Sequence, residues 1–162
     1  MRSSAELELL PYFEWIEASS LGNAIRQSLW LFPAIEAVHL LGLCVLGGAV
    51  LIVDLRMLGL GLRRYPISQI ARDARPWFVG ALVLMLTTGV ALFASEAIKC
   101  YYNTSFWVKI TTLPIAIVLT LLIRDRLAFG AGMNVTPTTR VVGITSIALW
   151  LVVAAAGRWI GF

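Results

Sequence analysis

Residues 28–62 read SLWLFPAIEAVHLLGLCVLGGAVLIVDLRMLGLGL. The run is apolar for longer than the roughly 20 residues that carry a helix across a bilayer, yet it contains Glu36, His39 and Asp54. His39 is the sole histidine of the 162-residue chain. An ionisable side chain at the centre of a crossing costs about 2.5–3.5 kcal/mol on insertion scales, and such groups face the interior of a bundle. The stretch therefore predicts a first membrane crossing with a polar site built into it.

The rest of the chain agrees. It is 59% hydrophobic and 14% charged, against about 45–50% apolar and about 25% charged in soluble domains. Four spans of suitable length are expected, at about residues 29–55, 77–95, 106–123 and 141–160. Residues 1–28 carry Glu6, Glu8, Glu14 and Glu17 among Leu9, Leu10, Phe13, Trp15 and Ile16. They read as one or two amphipathic helices lying at the membrane interface, with Ser19 or Ser20 capping a second short helix that ends near Ser28. No signal-peptide pattern is present. The fold class expected is all-α: a four-helix transmembrane bundle over 29–162 with an interfacial N-terminal segment over 1–28.

Charge sets the expected orientation. Arg56, Arg63, Arg64, Arg72 and Arg75 follow the first span, and Arg124, Arg126 and Arg140 follow the third. The positive-inside rule puts both loops in the cytoplasm of an inner membrane and both termini outside. The net charge of +4 is thus an orientation signal, and nucleic acid is not an expected partner. Cys44 and Cys100 fall at different depths, so no disulfide is expected.

On a helix, Glu36 and Asp54 are eighteen residues apart, five turns or about 27 Å. They share a face with His39, Leu40, Leu43, Gly47 and Val50, which reads as the inner face. Glu36 and His39 then lie in the outer half. Met85 lies near the middle of span two, with Glu96 at its outer end, and Asn103, Tyr101 and Lys109 lie at or near the outer end of span three. One reading pairs these groups internally, Glu36 with His39 and Glu96 with Lys109, as locks between helices. Another is a cofactor site: haem b with His39 as axial ligand, Met85 as a second ligand, and Lys109, Asn103 and Tyr101 near the propionates, with Glu36 beside the histidine. A third is a proton or ion pathway through Glu36, His39, Glu96, Lys109 and Asp54. A structural accessory role in a larger complex is a fourth. One histidine cannot supply a di-iron or zinc ligand set. No hydrolytic triad, phosphate loop or soluble catalytic domain is visible.

Asp54 and Arg56 are two residues apart and do not face each other on a helix. Asp54 reads as an anchor at the cytoplasmic edge, with Arg75 or Arg124 as its partner. Pro114 is expected to free the Ile110 carbonyl and bend span three. Trp77, Trp107 and Trp159 read as interfacial belt residues.

Several segments together resemble an uncharacterised family of small bacterial four-helix membrane proteins. They are Ser28-x-Trp30-x-x-Pro33-x-x-Glu36-x-x-His39-x-x-Gly42, Asp54-Leu55-Arg56-x-x-Gly59, Thr88-Gly89 leading to Glu96-Ala97, and Asn103-x-x-Phe106-x-x-Lys109. The resemblance spans about residues 13–125. It implies the four-crossing fold and places the polar residues above in the family pattern. His39-Leu40-Leu41-Gly42 followed by Gly47-Gly48 is also similar to the first-helix pattern of copper-resistance membrane proteins and haem-binding membrane oxidases. With one histidine per chain, a homo-oligomer or a subunit of a membrane complex, embedded in the lipid bilayer, is the expected assembly.

Overall fold

The computed structural model describes residues 4–160, with side chains from Leu9 onward. The first three residues of the expected interfacial segment, and the side chains of Glu6 and Glu8, lie outside the described residues. Two short helices, α1 (Ser4–Glu17) and α2 (Ser20–Gln27), precede α3 (Leu31–Leu58) and α4 (Ile67–Ser95). A single-turn helix, α5 (Ala97–Tyr102), leads into the third long helix. That helix is α6 (Thr104–Val118), a π-helical segment (Leu119–Arg124) and α7 (Asp125–Gly130) in continuous succession, and α8 (Pro137–Ile160) ends the chain. Four of these helices are long and apolar enough to cross a membrane, so the molecule is an all-α, multi-pass membrane protein.

Local chemistry sets the ends. The Ser19 hydroxyl accepts from Gly22 N–H at 3.2 Å and starts α2. Gly59, at φ +80°, ends α3, with Gly59 N–H on Arg56 O at 3.0 Å and Leu60 N–H on Leu55 O at 2.9 Å, the paired bonds of a Schellman turn. Asn103 caps α6 through Ser105 N–H at 2.9 Å. Thr136 and Thr139 cap α8 reciprocally, each hydroxyl accepting from the other's N–H at 3.2 and 3.0 Å.

α4 begins ten residues before the expected start of span two. Ile67, Ile70, Ala71 and Ala74 are buried with Val53, Met57 and Ala128, so this amphipathic stretch is a helical extension of the crossing, and Arg72 and Arg75 sit on its exposed side. The two arginine-bearing loops meet at one end of the bundle. Ile67 N–H donates to Gly132 O at 3.1 Å and Ser68 N–H to Ala131 O at 3.2 Å. Buried Arg56 donates to Tyr65 O and Met133 O, both at 2.9 Å, tying the loops together. We call this the arginine end and the other the terminal end.

At the terminal end the N-terminal helices dock on the bundle. Phe13 enters an aromatic cluster with Phe93 (5.5 Å), Tyr101 (5.2 Å) and Phe106 (6.1 Å), while Phe93 and Phe106 stack at 5.3 Å. Glu17 accepts from Ile98 N–H at 2.7 Å and pairs with Arg26 at 2.7 Å. Gly22 and Ile25 are buried, with Gly22 against the Ala94 carbonyl. Between the ends lies a packed apolar core that includes Leu46, Val50, Phe78, Leu82, Trp150 and Val153.

The buried face of α3 keeps Val50 and Asp54 of the expected stripe and departs from it toward the terminal end. It carries Gly42, Leu46, Ala49, Val50, Val53, Asp54, Arg56 and Met57, whereas Glu36 and Leu40 are exposed and a Cβ at Gly47 would point into open space. The apolar residues that α4 and α8 can pack against set the face of a buried helix; Asp54 falls on that face and Glu36, five turns away, does not.

Candidate functional site

The structure holds two polar layers, one toward each end of the bundle. In the terminal layer, His39 of α3 is half-buried and its Nδ1 lies 2.7 Å from Thr88 Oγ1 of α4. Thr88 Oγ1 is also 2.6 Å from Leu84 O. A carbonyl cannot donate, so the hydroxyl proton goes to Leu84, and the hydroxyl accepts from His39 Nδ1–H. In neutral imidazole this assignment leaves the lone pair on Nε2. The ring lies over Gly89, where a Cβ would come 3.5 Å from Cε1.

Lys109 of α6 is partly buried in the same half, near enough to His39 to act on it electrostatically. Its ammonium lies against Gly157 of α8, where an added Cβ would stand 3.3 Å from Nζ. Among the described residues no hydrogen bond or ion pair neutralises it. The internal pairings considered from sequence are therefore replaced. His39 bonds Thr88 instead of Glu36, and Glu96 pairs with Lys99 at 3.6 Å instead of Lys109. Each new partner is the nearer one: Lys99 is one turn from Glu96, and Thr88 faces His39 across the α3–α4 contact.

The other terminal candidates have structural partners. Asn103 is occupied as the α6 cap and donates to Trp159 O at 3.3 Å. Tyr101 is buried in the aromatic cluster, and its carbonyl accepts from Trp107 Nε1 at 3.1 Å. The Met85 sulfur lies over Gly42, 3.3 Å from where a Cβ would stand, and packs on the apolar core. Burial pushes the Cys100 thiol up to about 11, reinforced by Glu96, so it is not a thiolate at neutral pH. Both cysteines are free, Cys44 exposed and Cys100 buried.

The second layer, at the arginine end, is the one sequence reasoning underrated. Asp54, expected as an interfacial anchor, is fully buried. Arg124 Nη1 stands 3.5 Å from its Oδ1, one of the two partners anticipated. Arg124 also grips its neighbour Asp125 at 2.8 Å and lies over the Phe78 ring at 5.6 Å. Arg75 reaches Asp125 from outside at 3.9 Å. The buried Ser146 hydroxyl of α8 faces Asp54, and neither it nor either Asp54 oxygen has a hydrogen bond of ordinary geometry. The π segment delivers these groups: it holds an extra residue per turn, and it brings Thr120 and Arg124 into the interior, where Thr120 accepts from Trp150 Nε1 at 2.9 Å. The signal available in sequence was the Arg124–Asp125 dipeptide directly after an apolar run.

Among the described residues no group of three or more metal-ligating side chains comes together. The arrangement thus offers one imidazole with a fixed tautomer and one unneutralised ammonium toward the terminal end, a packed apolar layer, and a near-neutral ion cluster toward the arginine end. No curated protein and no solved structure matches the chain. A family match extends over residues 12–162, almost the whole chain, including both polar layers, so the protein belongs to DUF6644, a family of unknown function.

Proposed function

We propose that the chain is a cofactor-holding redox subunit, in which His39 Nε2 ligates a haem-type group in the terminal half of the bundle. The observation that carries this reading is the Leu84–Thr88–His39 relay. A histidine ligand characteristically donates its second ring N–H to a fixed acceptor, which sets the tautomer and orients the ring. Lys109 suits the acidic edge of such a group, because its ammonium has no carboxylate partner among the described residues. Haem supplies one-electron chemistry when bound. The chain's own part is to present Nε2, to neutralise the acidic edge and to keep water out with the aromatic cluster above. Met85 packs into the apolar layer beside Gly42, so His39 is the single protein ligand in this proposal.

The proton or ion pathway has less support. Fifteen residues of α3, about 22 Å, separate His39 from Asp54, and the apolar core fills the space between the two layers. Glu36 is exposed and makes no hydrogen bond to His39 among the described residues. In the same proposal the arginine end faces the cytoplasm of an inner membrane, with both termini outside, because eight arginines lie in or beside the two loops there. The subunit would exchange electrons with a partner in the membrane or with a second copy of itself.

The test is a dithionite-reduced minus oxidised absorption spectrum of protein purified from cells supplied with haem precursor. A Soret and α-band difference in the wild type, absent in His39→Ala at equal helicity, supports the proposal. A featureless wild-type spectrum refutes it.

A further inference from the structure

A second feature, independent of the histidine layer, lies on the outer face of α3 and α4. Two hollows of about 500 and 600 Å³ share Val45 and Trp77 and so form one groove. Its floor is cut by Gly48, where a Cβ would meet nothing within 4 Å, and by Gly80, equally open. Along α3 it runs from Leu41 to Ile52, eleven residues or about 16 Å, close to the roughly 15 Å depth of one leaflet's hydrocarbon. The groove is apolar along this length and becomes polar at the arginine end alone, where Tyr65, Gln69 and Asp73 line it.

The loop over that end is held in an unusual shape. Leu62, a wall residue, has φ +49°, a left-handed backbone that a leucine rarely adopts. This turn lays Leu62 and Tyr65 against the groove with Arg63 and Arg64 between them. Both arginines are exposed, and Arg63 Nε donates to Gly59 O at 2.6 Å. Asp73 is exposed on the next helix and forms no ion pair among the described residues. One end of an acyl-sized groove thus has a carboxylate, Asp73, in its lining and two exposed arginines in the rim turn between Leu62 and Tyr65.

We infer that the groove is a binding site for one phospholipid with an amine headgroup. Its acyl chain lies along Gly48, its phosphate faces Arg64, and its ammonium faces Asp73. An anionic headgroup lacks the ammonium and meets Asp73 as a like charge.

The experiment is native mass spectrometry of the full chain released from nanodiscs of equal parts phosphatidylethanolamine and phosphatidylglycerol. One retained phosphatidylethanolamine per chain is expected, at up to about five-fold preference, the factor that one exposed ion pair of about 1 kcal/mol supports. Asp73→Asn abolishes the preference, and Gly48→Leu, whose side chain points into open space, lowers retention of either lipid at unchanged helicity. Equal retention of both lipids by the wild type, a preference for phosphatidylglycerol, or a dimer that retains no lipid would each overturn the inference.

Discussion

His39 and Thr88 make the smallest unit of this account, and a hydroxyl can be removed without changing its shape. Thr88→Val keeps the packing and deletes the acceptor for Nδ1–H. Loss of such an orienting partner costs 10–100-fold in ligand affinity, so haem titration of Thr88→Val should show weaker binding by about that factor while the thermal midpoint moves little. At the arginine end the same logic applies to charge. Arg124 is the cation between two buried carboxylates, and its removal leaves Asp54 without a partner and Asp125 with the outer Arg75 alone. Arg124→Met should destabilise the bundle by about 3–5 kcal/mol, read as a lower denaturant midpoint in detergent. Asp54→Asn should cost less, because Arg124 keeps Asp125. Cys100 gives a pH test. Burial lifts its thiol to about 11 from an ordinary 9.0, so the folded chain holds its proton while an unfolded one ionises. Alkylation of Cys100 should stay slow at pH 8 and accelerate only as pH approaches 11, whereas denatured protein reacts near its ordinary range.

The elements show what residue patterns reveal and what they hide. The four apolar helices are legible in sequence, and the α2 cap and the partner of Asp54 are legible to within two candidates each, Ser19 or Ser20 and Arg75 or Arg124, because each depends on local chemistry or on the cost of a lone buried charge. The start of α4 was not, because Ile67, Ile70, Ala71 and Ala74 alternate with polar and charged residues and average to a loop on a hydropathy window, although they form a buried face. The π segment was not legible either, since no residue type marks an extra residue in a helix. The α3 face was misjudged at Glu36 and Leu40, where the polar pattern pointed inward but the apolar packing surface lay elsewhere. The His39–Thr88 contact depends on how α3 and α4 cross, which one chain's pattern does not encode. Helix α2 is held close to its neighbours at Gly22. A Cβ at Gly22 would collide with the Ala94 carbonyl oxygen and come 2.8 Å from the Glu17 carbonyl oxygen. Gly22→Ala should therefore lift α2 from α4 at a cost of about 1–3 kcal/mol, measurable as a lower thermal midpoint and as faster Cys100 alkylation at pH 8.

On the scale of the molecule, two polar layers are held apart by an apolar one, and each end is closed differently. Aromatic rings and the docked N-terminal helices cover the terminal end, while Arg56 and the two loops seal the arginine end. A packed centre with a site on one side suits a protein that holds a group at fixed depth better than one that passes ions across. Under the proposed function, the ion cluster sets helix register and the histidine layer holds the group. The most direct check is haem stoichiometry by pyridine haemochrome assay on protein of known concentration. The account predicts about one haem per chain in the wild type, none in His39→Ala, and wild-type content in Asp54→Asn. Haem absent from the wild type, or retained in full by His39→Ala, would contradict it.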